Sequence, residues 1–189
     1  MGLSESRRKE YWSCLALKHT KGMGLVSIKR ILMQYGSAYE AITAVDNWKR
    51  DGVGSQKQMQ SFRSEEWRIK GREEWDSLIG LNCDLLLASD ADYPNLLRQI
   101  HDPPAVIYLT GDRPLLASPC VAVVGSRTST EYGRYAAQTI AAGLSSAGVC
   151  VVSGLAYGID RQAHGAGLDG PGASMAVLGC GLDLDYPQG

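Results

Sequence analysis

The sequence predicts an α/β protein, a parallel sheet preceded by a small all-helical segment, and three observations carry that prediction. Short apolar runs at Val121 to Val124, Val149 to Val152 and Met175 to Leu178 recur at helix-length intervals. Runs without polar alternation mark strands buried on both faces. Each run leads into a glycine-containing loop, at the edge where a parallel sheet presents its ligand site. Before about residue 80 the pattern has helical periodicity instead, interrupted by glycine pairs. The expected layout is a helical domain over 1–80 and an α/β domain over 81–189, with right-handed crossovers and a doubly wound sheet.

In chain order, residues 6–19 place Tyr11, Leu15 and Lys18 along one face with Trp12 and Leu17 nearby, predicting an amphipathic first helix. Gly22-Met23-Gly24 breaks it, Leu25 to Gln34 resumes a helical pattern, and Gly36-Ser37 stops that. Ser37 is placed to cap a short helix through Ala38 to Ile42. Helix, Gly-x-Gly, helix is the outline of a helix-hairpin-helix unit, in which Gly22 and Gly24 would bring backbone N–H groups to a DNA phosphate. The competing reading makes these glycines simple turns between packed helices. Gly52-Val53-Gly54 is a fainter echo of the pattern. A longer charged helix is expected over 64–80, opening at Ser64-Glu65-Glu66 and turning Trp67, Trp75, Leu78 and Ile79 inward. Strands over 84–88 and 105–109 then flank a helix from Tyr93-Pro94 to Ile100.

Composition excludes several classes. Hydrophobic residues make up 44% and charged residues 21% of the 189, which fits a globular chain rather than a disordered or fibrous one. No window has the roughly 18 consecutive apolar residues a membrane span needs, and no secretory signal precedes the first helix, so a cytoplasmic location is expected. The five cysteines are scattered with no CxxC pair, which argues against a disulfide framework and a zinc site. Charge is uneven: residues 1–80 hold 14 Lys+Arg against 10 Asp+Glu, while the remainder holds 5 against 10. Those five are arginines, so a nucleic-acid site there must combine a few arginines with backbone N–H groups rather than a broad basic face.

The loop after the first run reads Gly125-Ser126-Arg127-Thr128-Ser129-Thr130-Glu131. Gly125 permits close backbone approach, and Thr128 with Glu131 has capping-box spacing. Amides, hydroxyls and an arginine thus gather at a helix N-terminus, which suits a phosphate. After the second run, Ser153-Gly154-Leu155-Ala156-Tyr157-Gly158 leads into a helix bearing Asp160 and His164 one turn apart. Those two are either an acid/base pair or a cap and a satisfied histidine. The third run ends in Gly179-Cys180-Gly181. A dinucleotide fingerprint fails, because G-x-G-x-x-G and an acid ending the second strand are both missing, and a Walker loop needs a lysine that does not occur after residue 80. No cofactor or metal is therefore expected.

At these residues the chain resembles the DprA/Smf family of bacterial DNA-processing proteins of natural transformation. The likeness rests on VAVVGSR with a following YG, on VVSGLAYGIDRQAH and on AVLGCGLDLDYP, in that order, with SDADYPNLLRQIHDPPAVIYLTGD upstream. The resemblance implies an extended Rossmann-like domain preceded by a SAM-like or helix-hairpin-helix domain. It implies binding of single-stranded DNA, protection of that strand, loading of RecA, and no catalysis. The family's DNA-contacting arginine falls on Arg127, with Gly125, Ser126, Thr128, Ser153, Gly154, Gly158, Gly179 and Gly181 around it and Tyr157, Asp160 and His164 in support. Family members continue past the YP motif, so the resemblance also implies a chain truncated at its C-terminus and lacking the family's homodimer interface. The rival reading is a phosphoribohydrolase of the LOG type on the same fold, with Arg127 holding a nucleotide phosphate and Asp160 or His164 assisting hydrolysis.

Overall fold

A computed structural model describes residues 3–81 and 83–187. The chain forms two compact units, Met1–Gly111 and Asp112–Gly189. The division falls well beyond Gly80, the boundary that the change in periodicity suggests.

The first unit begins with α1 (Glu5–His19), α2 (Leu25–Tyr35) and α3 (Ala38–Thr43), followed by a single 3-10 turn at Val45–Asn47. Helices α4 (Gln56–Arg63) and α5 (Trp67–Gly80) come next. Ser4 caps α1, and Ser37 caps α3 by accepting from the Glu40 N–H. The α3 N-terminus is also held from a distance, since the Glu10 carboxylate accepts the N–H groups of Ala38 at 2.8 Å and Tyr39 at 2.9 Å. A carboxylate suits that place, where orphan N–H groups and the helix dipole both favour negative charge. Tyr11, Leu15, Leu17, Ile28, Ile31 and Trp48 form the centre of the core.

Helix α4 escapes the sequence pattern, because its Gln-rich stretch offers little apolar periodicity, although Ser55 and Gln58 form a reciprocal capping box at its start. Ser64 ends α4 instead of opening the next helix, and α5 begins at Trp67. Trp67 and Leu78 face inward as expected, but Ile79 is exposed.

Strands β1 (Asp84–Leu87) and β2 (Val106–Leu109) pair antiparallel, with Asp84 opposite Leu109, and α6 (Asn95–Gln99) lies between them in sequence. This ribbon belongs with the helices. Arg7 grips Asp90 with two bonds of 2.8 Å and also donates to the Leu85 carbonyl, and the planar guanidinium matches the carboxylate at both contacts. The Tyr11 hydroxyl meets that of Tyr108 at 2.9 Å, and Tyr108 donates in turn to Glu74. Burial raises the proton affinity of Glu74, but hydrogen bonds from Lys18 and Tyr108 outweigh it and hold the carboxyl below its usual range.

The second unit opens with a 3-10 turn at Arg113–Ala117 and then runs β3 (Cys120–Ala122), α7 (Glu131–Ser146), β4 (Cys150–Ser153), α8 (Ile159–Leu168) and β5 (Ser174–Ala176). The three strands are parallel in the order β3-β4-β5, with Cys120 beside Cys150 and Val151 beside Ser174. Successive right-handed crossovers that step in one direction place both helices on one face. In the described sheet α7 and α8, which pack on each other and on β4, cover that one face. They pack around Ala141, Val151, Ala163 and Ala166. β4 is largely buried, whereas all three residues of β3 are exposed. Among the described residues no helix is long and apolar enough to cross a membrane.

Candidate functional site

Because β3, β4 and β5 run parallel and adjacent, the loops that follow them share one edge of the sheet. The first two loops are in direct contact. Ile159 N–H donates to the Ser126 carbonyl at 3.2 Å. Gly158 has φ +77°, and a methyl group added there would collide with the Ser126 carbonyl and lie 2.6 Å from that of Arg127. Only glycine satisfies both the left-handed backbone and this crossing of chains. Gly125 serves the same junction, since a methyl group there would meet the Ile159 side chain at 2.7 Å. The glycines of the two motifs thus bring the loops together around Ile159, a residue the motif reading passes over.

The loop after β3 keeps its polar groups available. Arg127 is exposed and forms no ion pair among the described residues. The N–H groups of Gly125, Ser126 and Arg127 have no partner within the described chain. Ser126 Oγ accepts from Thr128 N–H at 3.2 Å and donates to its carbonyl at 2.9 Å, which folds the loop tip. The cap of α7 is Thr130, which accepts from Gly133 N–H at 3.1 Å, and not Thr128 as the capping-box spacing suggests. Ser129 Oγ is enclosed and finds no partner among the described residues; its place in the loop is the one signal of it in the sequence. Next to this loop, Tyr132 and Tyr135 stand out from α7 at 80% and 69% exposure, one turn apart on a single face.

The loop after β4 has its polar groups engaged. Asp160 is buried, and its Oδ2 accepts the N–H groups of Gly154 at 3.1 Å and Ala156 at 3.3 Å. His164 Nε2 accepts the Leu155 N–H at 3.2 Å, while its Nδ1 meets Ser174 Oγ at 2.7 Å. Burial lowers the proton affinity of His164, with Asp160 pulling weakly the other way. Ser153 Oγ donates to the Val123 carbonyl at 2.7 Å, tying the start of this loop to the end of β3. Asp160 therefore ties down the loop ahead of α8, whose N-cap Gly158 has no side-chain bond, His164 is a satisfied histidine, and the amides of Gly154, Leu155 and Ala156 turn inward. Tyr157 is 40% exposed at the loop tip.

The loop after β5 begins against its neighbour, Val177 N–H donating to the Ser153 carbonyl at 2.9 Å. Gly179 is open on its side-chain face, but the Asp183 carboxylate lies against Gly181. A carboxylate there disfavours a phosphate, so this loop borders the site without adding positive potential. Arg161, in the first turn of α8, is a second exposed arginine with no partner among the described residues.

In the first unit, Gly22 has φ +82° and Gly24 caps α2 without a side-chain bond, as a hairpin requires. Gly52-Val53-Gly54 repeats the form ahead of α4, with Met23 and Val53 both buried at the centres of their hairpins. Gln58 Nε2 donates to the Gly22 carbonyl at 2.9 Å, so the first turn of α4 is tied to the first hairpin. Lys21 and Lys57 stand exposed beside them.

Comparisons with known proteins bear on the family and the fold. The family model described as DNA recombination-mediator protein A matches residues 84–189. The Smf protein of Synechocystis is 34% identical over 183 residues, covering 94% of this chain and 45% of its own length. The DNA processing protein DprA of Streptococcus pneumoniae is 43% identical over 99 residues, covering 52% of this chain and 35% of that protein. The crystal structure of the pneumococcal DprA superimposes with a TM-score of 0.74 at 28% identity, over 100% of this chain and 62% of that one. A Helicobacter pylori DprA structure, described in terms of its single-stranded DNA binding mode, matches with a TM-score of 0.50 at 31% identity, over 57% of this chain and 47% of that one. The chain thus spans less than half the length of these curated relatives. It belongs to the DNA recombination-mediator protein A family.

Proposed function

We propose that the loop after β3 binds the sugar-phosphate backbone of single-stranded DNA, with Arg127 and the amides of Gly125 and Ser126 as its phosphate contacts. The observation that carries this reading is the unengaged state of those groups at the N-terminus of α7, where backbone donors and the helix dipole together favour an anion. Tyr132 and Tyr135 supply exposed rings on which bases can stack, a contact tolerant of sequence. The name of the Helicobacter pylori relative supports the choice of ligand. The family's description as a recombination mediator supports delivery of the bound strand to a RecA-type recombinase.

The engagement of both His164 ring nitrogens weighs against that residue as the base of the phosphoribohydrolase alternative, since a general base needs a lone pair free for the substrate or its water. A labelled oligo-dT, competed separately by unlabelled duplex and by nucleoside monophosphates, tests the proposal. Single strand is expected to bind at least about tenfold tighter than duplex. Equal potency of duplex, or displacement by monophosphates at comparable concentration, would overturn it.

A further inference from the structure

We infer that His164 is a positioning residue for this site: in its neutral form it holds Leu155 in the left-handed conformation that shapes the loop after β4. The inference rests on the single-stranded DNA reading above and adds to it a group that regulates the site.

Two constraints fix the state of the ring. Ser174 Oγ has one hydrogen, and it goes to the Val151 carbonyl at 3.0 Å, so toward His164 Nδ1 at 2.7 Å the oxygen acts as acceptor. Nδ1 therefore carries a proton. Leu155 N–H, which can only donate, points at Nε2 from 3.2 Å, so Nε2 carries none. Both requirements are met by one species, the neutral Nδ1–H tautomer.

Leu155 needs such a hold. Its φ is +58°, a region that side-chain-bearing residues occupy only when their surroundings impose it. Its neighbours Gly154 and Ala156 are held by Asp160, but its own N–H has His164 alone. The bend then leads to Gly158, which lies against the Ser126 and Arg127 carbonyls. The histidine thereby supports the phosphate loop through a short chain of contacts.

Protonation of Nε2 would set two donors against each other and release Leu155. The group facing the ring from its own helix is Asp160, the one facing it from β5 is Ser174, and Asp160 is the one charge acting on it among the described residues. Burial, the larger influence, holds the proton affinity below the ordinary value of 6.5. A depressed value in the folded chain means that the contribution is complete above about 6.5 and is lost as pH falls below it. The direction is diagnostic, because an added positive charge alone would tighten DNA binding on acidification, whereas loss of positioning weakens it.

The test follows the His164 ring and the Leu155 amide of the whole chain by NMR from about pH 8 to about pH 5, with α8 amides as the internal record that the fold persists. Oligo-dT affinity is measured on the same samples. The expected result is a shared midpoint below 6.5 for ring and amide, with affinity falling about tenfold across it, the effect of one lost hydrogen bond. Leu155→Gly, which adopts the left-handed backbone unaided, should flatten that pH dependence. A Leu155 amide indifferent to the ring, or affinity that holds or rises on acidification, overturns the inference. Coupled titration in a chain that binds no oligo-dT at any pH upholds the positioning and overturns the DNA reading instead.

Discussion

The loops after β3 and β4 begin from similar material, a strand end followed by glycine, hydroxyl and small residues, yet their backbone amides end in opposite states. The first leaves Arg127 and the amides of Gly125 and Ser126 unengaged. The second turns three successive amides onto Asp160 and His164. A glycine-rich loop is therefore an anion site only if no carboxylate from its own helix has already taken the amides. Here Asp160 occupies in the second loop the position that a phosphate could occupy in the first.

The largest test of this contrast is the junction between the loops. Gly158→Ala forces a methyl group onto two carbonyls and a left-handed backbone onto alanine, and should destabilise the second unit by about 3 kcal/mol. Urea unfolding followed by the NMR signals of α7 and α8 amides would show it, and an unchanged midpoint would mean that the loops do not cross as described.

Asp160→Ala and Arg127→Ala sharpen the comparison as a pair. The first leaves two enclosed N–H groups without an acceptor and should cost about 2 kcal/mol of stability. The second should leave stability unchanged and weaken oligo-dT binding about tenfold to a hundredfold, the effect of one charge-assisted phosphate contact. If Asp160→Ala left the fold intact and Arg127→Ala left binding intact, the roles assigned to the two loops would be wrong.

The smallest effect belongs to the hairpins of the first unit. Lys21→Gln, beside the left-handed Gly22, should reduce the salt slope of DNA binding by about one if the hairpin touches a phosphate. An identical slope would leave the hairpins as turns between packed helices.

Local chemistry was legible in advance. The order of strands, glycine loops and helices, the cap at Ser37 and the hairpin form of Gly22 and Gly24 all follow from residues a few positions apart, where propensity and backbone sterics act. The polar stretch of α4 gave no such periodicity, and its capping box became plain only in the folded chain.

Choices among distant partners were not written in any local pattern. Tertiary structure alone decided that β1 and β2 join the helical unit, through an Arg7–Asp90 pair 83 residues apart. It decided that Ser153 ties to the Val123 carbonyl across two strands, and that the Ile159 N–H meets the Ser126 carbonyl of the neighbouring loop. The physical reason is common to all three. Hydrogen-bond donors and acceptors are fixed by residue type, but which of them are satisfied within the chain, and which remain for a ligand, depends on what folding brings within about 3 Å of them.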